Sequence, residues 1–158
     1  MNTIDVEYEV PTYAKSFDED MVVSWVNRVL KRLDKDEVEL SISFVSDNEI
    51  QKLNKEYRDL DMSTDILSFV QSDSQDDDDF WPNELAENLT VLGDMIISPD
   101  ALSRNCEDFG ATEKDELKRL LIHGVLHLLG MDHKTNDFKN EEMLILQEDI
   151  LNELKETV

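Results

Sequence analysis

Apolar residues recur along this chain with two periods, and each change of period marks a new element. Val38, Leu40, Ile42 and Phe44 alternate with Glu39, Ser41 and Ser43, the pattern of a strand buried on one face. Val22, Trp25, Val26, Val29, Leu30 and Leu33 instead fall on one face at helical spacing behind an acidic first turn, which predicts a helix over 18–34. Residues 3–10, 65–70 and 90–98 read as further strands. Ser46 with Glu49 is a capping box that opens a short helix through Tyr57. Ser98-Pro99 opens another, which Gly110 closes. Thr112 caps a further helix, and residues 137–156 form a final amphipathic one. There are no repeats and little linker. The expected fold is α+β, a single domain over 1–158 with a small mixed sheet of about four strands and helices packed on it.

The helix capped by Thr112 is apolar almost all round: Leu117, Leu120, Leu121, Ile122, Val125, Leu126, Leu128 and Leu129. It therefore reads as buried, and yet it carries His123 and His127. Four residues apart, the two imidazoles share one face, one turn apart. Gly130 is suited to the left-handed conformation that stops the helix, after which the chain turns back and delivers His133. A histidine pair at this spacing can be an ordinary hydrogen-bonded core pair. A third histidine at this offset, in a chain with no other, points to a metal held by His123, His127 and His133. Three protein ligands leave one tetrahedral position open, the catalytic rather than the structural arrangement for zinc. Neutral imidazoles favour zinc, nickel or copper over magnesium.

Zinc peptidases of the His-Glu-x-x-His type place a general base directly after the first histidine, whereas this chain has Gly124 there. Losing a general base costs on the order of 10²–10⁴ in rate. Peptidase chemistry would need a carboxylate from elsewhere, and a metal-dependent protease-like hydrolase is the alternative on that condition.

Composition narrows the class. No apolar run is long enough for a membrane span, and no basic-then-apolar leader is visible. The single Cys106 cannot form an internal disulfide, which fits a reducing, cytoplasmic location. A net charge of −23 favours solubility and argues against tight non-specific nucleic-acid binding. The basic residues that exist fall in two groups, Arg28, Lys31, Arg32 and Lys35, then Lys52, Lys55 and Arg58. They form either solvated faces or a surface that guides substrate. Residues 71–84 (QSDSQDDDDFWPNE) are acidic and aperiodic, the signature of a mobile loop. Before it, Asn54, Arg58, Thr64, Asp65 and Ser68 put hydrogen-bonding groups around a helix-to-strand junction. These are either a polar network that fixes the loop, or a site from which Arg58 reaches a phosphate in the metal cleft.

The stretch LNKEYRDLDMSTDILSF, then Leu92-Gly93-Asp94, then HGVLHLLGMDH resembles, in order and approximate spacing, the YbeY family of bacterial endoribonucleases. The resemblance covers most of the chain. It departs at Met62-Ser63, where the family has a basic-Pro pair, at Val70 in place of Pro, and in the acidic insertion at 72–79. It implies one Zn2+ per chain on His123, His127 and His133, and matches Arg58 to the arginine implicated in activity. It further implies a single-strand-specific endoribonuclease acting in 16S rRNA 3′-end maturation and ribosome quality control, with the small ribosomal subunit and its proteins as partners. If the RNA 2′-OH is the nucleophile, no protein nucleophile is required, which accounts for Gly124. Asp65, Asp94 and Asp132 are candidate carboxylates to orient the imidazoles. A non-enzymatic ribosome assembly factor with structural zinc is the second alternative.

Overall fold

The computed structural model describes residues 1–71, 90–131 and 141–156. Their order is β1 (Thr3–Tyr8), α1 (Tyr13–Ser16), α2 (Glu19–Arg32), β2 (Val38–Phe44), α3 (Asp47–Arg58), β3 (Ile66–Val70), β4 (Thr90–Ile97), α4 (Pro99–Phe109), α5 (Glu113–Leu128) and α6 (Glu142–Glu156). The strands form one mixed sheet in the order β1-β2-β4-β3. β1 and β4 run parallel to β2, and β3 runs antiparallel to β4 along the edge. The α+β expectation holds, with a four-stranded sheet.

Each boundary has a local cause. Asp18 caps α2 by accepting from the Met21 N–H at 3.2 Å. Ser46, Ser98 and Thr112 cap α3, α4 and α5 in the same way. Gly110 closes α4 in the left-handed conformation. β1 stops at Tyr8, two residues short of the expected end, because a turn begins before Pro11, with the Tyr13 N–H donating to the Val10 carbonyl at 3.0 Å. The helical turn α1 that follows carries no apolar period and was not legible in the sequence.

The inward residues of β2 (Val38, Leu40, Ile42 and Phe44) are all at most 5% exposed, and Phe44 stacks between Tyr8 and Phe17. They join α2, α5 and α6 in the main core. A smaller cluster of Val45, Ile50 and Leu67, with Phe69 and Ile96 against it, seats α3 on the other face. Among the described residues no helix is long and apolar enough to cross a membrane.

Helix α5 lies close to the sheet because two glycines permit it. A Cβ on Gly124 would come within 2.1 Å of the Met95 sulfur and 3.1 Å of Ile66 Cδ1. Gly93 in β4 sits at φ +139°, and a Cβ there would come within 2.1 Å of the Phe69 carbonyl oxygen. It follows an irregularity in the β2–β4 pairing: Glu39 pairs with Val91 and Leu40 with Gly93, so Leu92 is an extra residue.

The two sites differ in what must give way. At Gly124 the obstacle is the end of a flexible methionine, and alanine also brings about 1 kcal/mol of helix propensity. At Gly93 the obstacle is backbone and the φ itself is strained for an L-residue. Gly93→Ala is therefore expected to destabilise by about 3 kcal/mol or more and Gly124→Ala by about 0–2 kcal/mol, measured by urea denaturation. The reverse order would show that helix seating is less tolerant than the bulged strand.

Candidate metal centre and its cavity

Buried almost all round, α5 leaves one stripe half exposed: Asp115, Arg119, His123 and His127, each four residues from the last. Gly124 faces the sheet, so the stripe looks sideways, toward α6. The two imidazoles present their Nε2 atoms to each other at 3.0 Å, ring centres 4.5 Å apart and planes at 73°. Two nitrogens bound to one zinc at about 2.0–2.1 Å each lie about 3.3 Å apart across a tetrahedral angle. The observed pair is within a few tenths of an ångström of that separation, and its donors are of the kind zinc prefers. His123 and His127 are thus brought together as the spacing predicts, and Gly130 (φ +99°) ends the helix. His133 and Asp132 lie outside the described residues, as does the acidic segment 71–84 beyond Gln71. Among the described residues no third His, Cys, Asp or Glu joins the pair.

From α6, Gln147 closes the site. Its side chain is 2% exposed, and its Oε1 lies 2.6 Å from His123 Nδ1. Its amide nitrogen donates to Glu148 Oε2 at 3.1 Å. Glu148 also accepts from Arg119 Nε at 3.0 Å, and Arg119 donates from Nη1 to the buried Glu116 at 2.8 Å. None of Gln147, Glu148, Arg119 and Glu116 was singled out from the sequence. A signal was present: Gln147 interrupts the buried series Met143, Ile150, Leu151 and Leu154, and a polar residue on an apolar face needs a partner.

Beside His123 opens a cavity of about 940 Å³, with Asp65, Asn105, Glu116, Arg119 and Gln147 in its walls. Asp65 accepts from Asn105 Nδ2 at 2.9 Å. Burial pushes its carboxyl pKa up, against the opposing pull of backbone N–H groups, His123 and the Thr64 hydroxyl. Burial likewise raises Glu116, against the Arg119 guanidinium. Of the carboxylates expected near the imidazoles, Asp65 shares the cavity with His123. Asp94 does not: it is exposed on the opposite face of the sheet, accepting from Ser41 Oγ at 2.5 Å.

Arg58 ends α3, exposed, and is not among the residues lining this cavity. The junction beyond it behaves as the polar network foreseen as one reading of that segment. Asn54 donates to the Met62 carbonyl at 2.9 Å, and Gln51 to Asp61 at 3.0 Å, folding the loop back on α3. Asp47 accepts from Ser63, Ser98 and Arg104, tying that loop to α4, and these bonds, Arg104 first, hold its carboxyl below the usual range. Tyr57, exposed beside Arg58, meets Phe69 edge-on at 5.4 Å.

Comparison with known proteins adds an independent line. The family model described as Endoribonuclease YbeY matches residues 7–155. The endoribonuclease YbeY of Treponema denticola is 44% identical over 140 residues, covering 89% of this chain and 86% of its own. That of a Sulfurihydrogenibium species is 35% identical over 153 residues, covering 97% and 93%. The solution structure of a Thermotoga maritima protein superposes with a TM-score of 0.64 at 26% identity, over 96% of this chain and 89% of that one.

The raised Asp65 gives a pH signature. The folded protein keeps this proton to higher pH than the unfolded chain does, so stability falls as pH rises from the ordinary 3.8 through the raised folded value. Below that window the contribution is absent, and Asp65→Asn lacks it throughout. In EDTA-treated protein, thermal unfolding of Asp65→Asn should match the parent near pH ~4 and exceed it increasingly toward pH ~7. A gap that stays constant across this range would mean that burial is not what governs this carboxyl.

Proposed function

This chain belongs to the endoribonuclease YbeY family, and we propose from that premise that it is a zinc-dependent endoribonuclease of single-stranded RNA. The proposed setting is 16S rRNA 3′-end maturation and ribosome quality control, in contact with the small ribosomal subunit and its proteins. The observation that carries the reading is the convergence of two imidazole Nε2 atoms at 3.0 Å on the half-exposed stripe of an otherwise buried helix, with His123 in the wall of a cavity.

His123 and His127, with His133 as the third ligand, would hold one zinc ion per chain. Zinc held there supplies concentrated positive charge and Lewis acidity for a phosphodiester. The acidic wall beside it suits a divalent cation: Arg119 is already paired with Glu116 and Glu148. Asp65, made more basic by burial, is suited to take a proton within the same cavity. Arg58, exposed at the end of α3, would bind a phosphate of the strand from outside the cavity, its fork accommodating the growing negative charge. No residue of α5 is required as nucleophile if the RNA 2′-OH attacks. A peptidase reading is weaker than it was in the sequence, because position 124 faces Met95 and Ile66 rather than the cavity. A general base there would be buried against the sheet.

Cleavage of an end-labelled single-stranded RNA by zinc-loaded protein tests the reading. The parent should cleave and His127→Ala should not. Arg58→Ala should lose on the order of 10²–10³ in kcat at unchanged zinc content. Loss of zinc from that variant would make the arginine structural. An inert parent that still sediments with small ribosomal subunits would replace the nuclease with a binding factor. A 2′,3′-cyclic phosphate on the product would identify the 2′-OH as the attacking group.

A further inference from the structure

We infer that Gln147 is a positioning residue for the histidine pair, and that Glu148 and Arg119 dictate which way its amide faces. The inference rests on reading His123 and His127 as metal ligands and names what prepares the first of them.

A neutral imidazole carries its hydrogen on either ring nitrogen, and only the other nitrogen can bind a metal. The partner of the non-binding nitrogen therefore chooses the ligand atom. At His123 that partner is Gln147, 2.6 Å from Nδ1. A glutamine by itself leaves the choice open, since one end of its amide accepts and the other donates. Glu148 removes the ambiguity. Its Oε2 lies 3.1 Å from the Gln147 amide nitrogen, and a carboxylate can only accept. With the amide flipped, two acceptors would face each other across that distance, beside a side chain only 2% exposed. The carbonyl end must therefore face His123. Nδ1 then carries the hydrogen and donates it to Gln147 Oε1, and Nε2 holds the lone pair. Nε2 is the atom that lies 3.0 Å from His127 Nε2.

Arg119 completes the chain. Its Nε and Nη2 donate to the two Glu148 oxygens at 3.0 and 3.3 Å, which holds the carboxylate against the amide. Arg119 stands one turn before His123 on α5, so the network leaves α5, crosses to α6 and returns to α5. The consequence is that a residue of the last helix, outside the histidine motif, determines the affinity of the site for its metal.

Gln147→Met keeps the length and shape of the side chain while deleting the acceptor, and the exchange Gln147→Glu with Glu148→Gln keeps an acceptor at His123 and a donor–acceptor pair between positions 147 and 148. Two readouts are needed. Long-range ¹H–¹⁵N spectra of the imidazoles in metal-free protein, with His123 assigned through His123→Ala, report its tautomer without reference to any metal. Zinc affinity follows from competition with a chromophoric chelator. The parent should show His123 protonated on Nδ1. Gln147→Met should show a tautomer mixture and bind zinc about 10–100-fold more weakly, with unchanged far-UV circular dichroism. The Gln147→Glu/Glu148→Gln protein should recover the Nδ1-protonated form and most of the affinity. A Gln147→Met protein with the parent's tautomer and zinc affinity would overturn the proposal. So would Gln147→Glu/Glu148→Gln and Gln147→Met proteins that are equally impaired, since that would assign the loss to packing. If the parent and His127→Ala bound zinc alike, the metal reading itself would fall, while the imidazole spectra would still decide the role of Gln147.

Discussion

The close seating of α5 against the sheet is the constraint on which the rest of the molecule depends. Because Gly124 carries no side chain, the helix backbone reaches Met95 and Ile66 directly. That fixes the rotation of α5 about its axis. Once Gly124 points at the sheet, the leucines, Ile122 and Val125 are buried around the remaining circumference, and beyond the exposed first turn only the Asp115–Arg119–His123–His127 stripe looks out, toward α6. In the sequence the glycine is conspicuous as the place where a general base is missing. In the structure its task is packing, and a carboxylate at that position would meet the core before it met any substrate.

The polar groups gathered around this helix are costly to bury, and the structure meets that cost with bonds rather than exposure. Glu116, 5% exposed, is paired with Arg119, and Gln147, 2% exposed, is bonded at both ends of its amide. Each removed partner would leave a buried group unsatisfied, at a cost of about 1–3 kcal/mol. The α5–α6 interface is thus both part of the core and the wall of the cavity. The second polar cluster, around Asp47 and Asn54, has a different task. It ties the loop after α3 to α3 and α4, and leaves Tyr57 and Arg58 at the surface.

Charge sets a further condition. A chain of net charge −23 repels a polyanion over most of its surface. Attraction to RNA must therefore be local. Positive charge is available in the exposed basic residues Lys31 and Lys35 and in Lys52, Lys55 and Arg58 of α3, and the proposed cation at the histidine pair would add to it. The acidic cavity wall would favour such a cation at a place that repels a phosphate alone.

Much of this was legible along the chain. The alternation in β2, the period of α2, the capping serines and Thr112, and the buried helix bearing His123 and His127 all follow from local rules. Those rules concern spacing, side-chain polarity and cap chemistry within a few residues, and each is complete in the segment that states it. The pairing of His123 with His127 belongs with them, because four residues on a helix put two imidazoles together whatever surrounds them. Tertiary structure decided the rest. It set the strand order, the cavity, and the placing of Asp94 on the far face while Asp65 stays near His123. It also brought Gln147 and Glu148 to that histidine, 24 and 25 residues on in the chain. No local rule ranks one polar residue of α6 above another. That choice is made where two helices meet, by which side chains face each other and which of them is left without water.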